Sequence, residues 1–194
     1  MPLADAEATA ITFAALLDGT FERLAVAGSI RRRLPTVGGI EIVATPTVEE
    51  VPQMNLFGEA VLSVTIDRMA ERLDALVADG AIQRRRRADG RFCWGPSMKL
   101  LTFNGALIDL FVPEADRFGW VYAIRTGPSA FSNALVTMRG ERTRSGRAGL
   151  MPEWYAARDG WLVERMTGQR IATPHEADVF RLLGLDPVDP WERV

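Results

Sequence analysis

The stretch from Gly28 to Pro46, G-S-I-R-R-R-L-P-T-V-G-G-I-E-I-V-A-T-P, constrains this chain more than any other. Leu24 and Val26 lead into Gly28-Ser29, three arginines (Arg31, Arg32, Arg33) follow, and a second apolar run carries Glu41 between Ile40 and Ile42. This reads as two strands, Phe21 to Ala27 and Gly39 to Thr45, whose connection is longer than a tight hairpin. Backbone amides near Gly28 and Ser29 can approach an anion because glycine has no side chain. Arginines can neutralise that anion, and a carboxylate on the strand can hold a metal. The layout suits a polyphosphate.

The other elements follow from periodicity and turn chemistry. Asp5 to Leu17 has helical apolar spacing and stops at Asp18-Gly19. After a Pro-flanked loop with Glu49 and Glu50, Ser63 to Asp79 reads as a helix with Ser63 as N-cap and Gly80 closing it. Hairpins are expected at Asp89-Gly90, Asn104-Gly105 and Asp159-Gly160. The Asn-Gly pair makes Ala106 to Val112 a strand, with Asp109 as the one acid in an apolar run. Phe118 onward reads as a strand or short helix. Gly127-Pro128 breaks it, and a helix from about Ser129 has a basic tail ending near Ser145-Gly146. Thr173-Pro174-His175-Glu176 predicts a capping box with Pro at the first helical position, for a helix from Glu176 to Leu183.

Composition bounds the function. The chain has 194 residues, 47% of them hydrophobic and 25% charged, which describes one globular domain, or a domain with a small appendage. No basic leader precedes its apolar residues and no apolar run is long enough to span a bilayer, so neither export nor a membrane partner is expected. Cys93 is the only cysteine and cannot form an internal disulfide, which makes an intracellular, cytoplasmic location the expectation. A single histidine, His175, excludes most zinc and histidine-base chemistries.

The net charge of −2 hides two basic blocks. One holds Arg84, Arg85, Arg86, Arg87, Arg91 and Lys99; the other holds Arg125, Arg139, Arg142, Arg144 and Arg147. Basic blocks beside an acidic tail can present one positive face to nucleic acid. On a strand, only half of Arg84 to Arg87 share a face; they are either phosphate contacts, with Arg84 and Arg86 the candidates, or edge protection. Arg139 and Arg142 are candidates of the same kind, or complements to a helix dipole.

The motifs G-S-x-x-R-R, V-G-x-I-x-I-V-x-T, a strand aspartate after Asn-Gly, T-G before a helix, and a closing E-x-D-V-F-R-L-L-G-L run from about Leu24 to Arg193. In that order they resemble the DNA polymerase beta-like (family X) nucleotidyltransferases. The resemblance implies an α+β fold: a nucleotidyltransferase palm, a mixed sheet with flanking helices, over residues 1–125, and a small thumb-like C-terminal subdomain over 126–194. It implies DNA and dNTP as partners, and Mg²⁺ or Mn²⁺ as the cofactor of transfer to a 3′-hydroxyl. Gly28, Ser29, Arg32 and Gly38 take the phosphates by this resemblance, and Glu41 and Asp109 are the catalytic, metal-holding carboxylates.

The sequence departs from that pattern where Gly39 stands in place of the first metal aspartate, and Glu41 in place of the second. Ile124-Arg125 replaces an aromatic pair, and Ser132 replaces a base-reading asparagine. Three readings follow. The chain transfers nucleotides to nucleic acid; or it is a catalytically silent relative that binds DNA or a protein as an accessory factor; or it transfers a nucleotide to another acceptor.

Overall fold

The computed structural model describes residues 1–54 and 60–193. Its centre is a five-stranded mixed sheet in the order β1-β2-β7-β6-β5. The strands are β1 (Phe21–Val26), β2 (Ile40–Pro46), β5 (Gln83–Arg84), β6 (Met98–Phe103) and β7 (Ala106–Phe111). Strands β2 and β7 are parallel and the other neighbours antiparallel. The β6–β7 turn has Asn104 at φ 48° and Gly105 at φ 76°, the positive pair that a type I′ hairpin requires.

Alternation along the strands separates the two faces. One face carries Ile40, Ile42, Ala44, Leu101, Phe103, Ala106, Ile108 and Leu110, all buried. Two helices cover it: α1 (Leu3–Leu16), through Ala6, Ala10 and Phe13, and α3 (Arg68–Ala78), through Met69, Leu73 and Leu76. Both sets recur at i, i+4 and i+7, which is one helical stripe. The opposite face is covered only in part. Helix α4 (Phe118–Thr126) lays Phe118, Val121 and Tyr122 on Val43, Phe111 and Met98, one row of the sheet.

A second core lies C-terminal to the sheet. Trp120 and Ala123 of α4 meet Phe131 and Leu135 of α5 (Ser129–Val136), Leu162, and Val179, Phe180 and Leu183 of α6 (Glu176–Leu183). Strands β8 (Tyr155–Arg158) and β9 (Trp161–Glu164) form the hairpin expected at Asp159-Gly160. A half-buried ion-pair network ties α6 to the short helix α2 (Gly28–Arg31). Arg31 donates to both Glu176 oxygens at 2.7 and 2.5 Å, and Arg193 reaches Glu176 at 2.9 Å.

Four expected elements differ. The helix expected from Ser63 starts at Arg68 instead; Val64, Thr65 and Ile66 belong to β4 (Ala60–Asp67), paired with β3 (Val48–Met54). β-branched residues favour the strand, and Asp67 is the cap, accepting from the Ala70 amide at 2.8 Å. Glu49 and Glu50, expected in a loop, lie in β3. Helix α5 ends at Val136, so Arg139, Arg142 and Arg144 follow it in non-helical chain rather than forming its tail. At α6, His175 rather than Thr173 is the N-cap, its amide donating to Asp178 at 3.0 Å, and Pro174 stands before the helix.

Among the described residues no helix is long and apolar enough to cross a membrane.

Candidate functional site

Strand register builds the site. Glu41 of β2 pairs with Asp109 of β7, which pairs with Leu100 of β6; Arg85 follows β5 in the same row, its amide donating to the Leu100 carbonyl at 2.8 Å. Directly opposed residues share a face. This row therefore points to the side that α4 leaves open. Ser29, Arg32, Gly39, Glu41 and Asp109 line a cleft of about 260 Å³ there. Arg32 and Glu41 also line an adjoining cleft of about 350 Å³, whose far wall is Arg125, Gly127, Ser129, Ser132 and Asn133.

Gly28 is the floor. Its φ is +60°, in the left-handed region, and the Glu41 carboxylate lies where a Cβ at this position would go. Burial raises the Glu41 pKa against the pull of the Ser29 backbone hydrogen bond and the Arg32 charge. Arg32 is fixed by donating to the Thr126 carbonyl, which aims its guanidinium between the two clefts. Gly38 is exposed and does not line the cleft.

Two arginines that the motifs did not single out complete the site. Arg85 is ion-paired to Asp109. Arg125 stacks on Phe111, 4.0 Å from the ring centroid, and has no carboxylate partner among the described residues. Burial lowers its pKa, against the fields of Glu41 and Asp109. Burial likewise raises Asp109 in spite of Arg85 and Arg125. For Arg85 alternation along Arg84 to Arg87 only halves the choice; the register of β5 against β6, which no local pattern fixes, puts Arg85 and not Arg84 in the row of Asp109. Arg125 stands, by the resemblance, where an aromatic pair would precede Thr126-Gly127, but its approach to the sheet comes only through the tertiary packing of α4.

The other basic candidates point elsewhere. Arg84 pairs with Asp74 at 2.8 Å and stacks on Trp94; Arg86 donates to the Gly90 carbonyl at 2.6 Å and stacks on Phe92. Arg139 donates to the Leu183 carbonyl at the end of α6, so it complements that helix rather than one of its own. Arg142 closes its own loop on the Gly146 carbonyl at 2.7 Å. None of the four lines the Glu41–Asp109 cleft.

The donor set decides what metal the site suits. Glu41 and Asp109 offer two carboxylates, Gly39 offers none, and among the described residues no group of three His, Cys, Asp or Glu could hold an ion. Two carboxylates suit one Mg²⁺ that takes its other ligands from water and substrate phosphates, but not a pair of ions bridged by a third acid. Arg85 must also leave Asp109 for such an ion to enter. Chemically, the clefts combine two carboxylates with the guanidiniums of Arg32 and Arg125, with Arg85 held on Asp109 beside them, a site for a polyanion with or without its counter-cation.

No protein-family model matches the chain, and comparison with curated proteins gives no significant match.

Proposed function

We propose that the protein is a DNA polymerase beta-like nucleotidyltransferase, a palm with a small thumb-like C-terminal part, which binds a dNTP and a DNA end at this cleft. One observation carries the reading: Glu41 and Asp109 stand in register on parallel neighbouring strands, in one cleft with Ser29 and Arg32 of the Gly-Ser turn. The triphosphate lies against Arg32 and the Ser29 turn. The acceptor's 3′-oxygen bonds to the α-phosphorus, the α–β bridge breaks, pyrophosphate leaves, and the hydroxyl proton passes to water. Glu41 and Asp109 would hold a Mg²⁺ or Mn²⁺ ion, which when bound supplies charge neutralisation on the phosphates. Arg32 and Arg125 add positive charge that is fixed before substrate arrives, which favours developing negative charge.

A second reading is binding without transfer, the role of an accessory protein. Two features favour it: Gly39 supplies no carboxylate, and Arg85 already neutralises Asp109.

The test is incubation with a 3′-recessed duplex, dNTPs and either Mg²⁺ or Mn²⁺. Transfer predicts primer extension by the wild type and none by Asp109→Ala. No extension with either ion while duplex and dNTP binding persist selects the second reading; loss of both binding activities sinks the class assignment itself.

A further inference from the structure

A third cleft, of about 330 Å³, opens on the other side of Arg125 from Arg32. It lies between the start of β6, α4 and the β8–β9 turn, and three guanidiniums line it: Arg87, Arg117 and Arg125. Arg87 donates to Cys93 Sγ at 2.8 Å and, like Arg125, has no carboxylate partner among the described residues. Arg117 is held by Glu114 and stacks 5.5 Å from the Trp161 centroid, and Asp159 stands on the lip. Even with both acids counted, the cleft is cationic. Phe111, Trp120 and Ile124 form its apolar wall.

Its place in the sheet order gives it an occupant. The Gly-Ser turn stands at the β1–β2 side, Glu41 and Asp109 at the centre, and Arg87 follows β5 at the opposite side. A reaction that joins two phosphate-bearing substrates at the central carboxylates needs one on each flank. With the triphosphate on the Arg32 flank, the Arg87 flank is left for the acceptor.

We propose that Arg87, Arg117 and Arg125 bind the backbone phosphates of the acceptor strand next to its 3′ end. This rests on the nucleotidyltransferase reading and adds the path of the strand. Arg125, facing both flanking clefts, is shared between the two substrates.

The experiment pairs a protein variant with a modified strand. Binding of a fluorescein-labelled 3′-recessed duplex is measured by anisotropy, with a neutral methylphosphonate placed in turn at each of the three 3′-terminal linkages of the acceptor strand. Wild type is expected to lose affinity roughly tenfold at one linkage, and Arg87→Gln to lose a similar factor on the unmodified duplex, with a shallower salt dependence. The two losses are expected not to add, while dNTP affinity stays at the wild-type value. Insensitivity at all three linkages overturns the proposal, as do additive losses. A loss of dNTP binding in Arg87→Gln overturns it as well, since the cleft then takes the nucleotide. Those results leave the nucleotidyltransferase reading standing, whereas a wild type that binds neither duplex nor dNTP removes both.

Discussion

The Glu41 carboxylate occupies the space that a Cβ on Gly28 would fill. The glycine is required twice over, by a φ of +60° and by the side chain packed against it. Through this contact the turn sets the position of the strand acid, so the Gly-Ser turn and the carboxylate form one mechanical unit.

Gly28→Ala tests that unit. The left-handed backbone alone costs about 1–2 kcal/mol for a residue with a Cβ. Displacement of Glu41 adds to it. The expected outcome is a lower denaturant midpoint together with weakened Mn²⁺ and dNTP binding; wild-type binding in a folded variant would mean that Glu41 can move without consequence.

Gly39→Asp would add a third carboxylate to the cleft of Glu41 and Asp109. A Cβ here would meet only the Leu107 carbonyl at 3.6 Å and the Leu107 Cβ at 3.9 Å, both ordinary contacts. Stability should therefore change by no more than about 0.5 kcal/mol. Mn²⁺ affinity, read by the loss of the free-ion paramagnetic resonance signal, is expected to rise at least tenfold. An unchanged affinity would show that the row around Asp109 does not converge on an ion.

Arg85 competes with any cation at Asp109. The pair is about a third exposed, 28% for Arg85 and 35% for Asp109, so losing it should cost no more than about 1 kcal/mol. Arg85→Gln is expected to tighten Mn²⁺ binding several-fold in the absence of nucleotide. If binding weakens instead, Arg85 positions Asp109 rather than blocking it.

Glu176 links the sheet to the C-terminal core and gives the fold an acid limit. Burial pushes its carboxyl up, but the hydrogen bonds and charges of Arg31 and Arg193 outweigh that, and its pKa falls below the ordinary glutamate value. A depressed carboxylate stabilises the fold fully above its unfolded pKa and loses that contribution as pH falls through the folded one. The stability that Glu176 contributes should therefore hold steady down to about pH 4.3 and decline below it, against the opposite trend of the raised Glu41 and Asp109. Glu176→Ala leaves two arginines without their carboxylate and should cost about 3 kcal/mol at neutral pH. Glu176→Gln should start lower and lose this part of the acid sensitivity. A variant as acid-sensitive as wild type would assign the transition to other carboxylates.

Local chemistry made much of the fold legible in the sequence. Asn104-Gly105 and Asp159-Gly160 mark their hairpins because few residues tolerate positive φ, and Gly184 marks the end of α6 in the same way, at φ 61°. The α+β class and the pairing of Glu41 with Asp109 are expected only through the family resemblance; the parallel register of β2 and β7 brings the two acids together. The start of α3 was not legible, since Val64 to Ile66 have apolar residues compatible with either a strand or a helix; pairing with β3 decides it.

The sequence by itself determined which residues carry charge and which strands carry Glu41 and Asp109. Tertiary structure alone decided which arginines meet those acids. Arg84 to Arg87 are equivalent in composition, and the register of β5 against β6 turns Arg85 inward while Arg84 finds Asp74. Arg125 reaches the site because α4 covers only one row of the sheet. Its neighbours Phe111 and Glu41 are far from it in sequence, and a long-range contact of that kind leaves no trace in a local pattern.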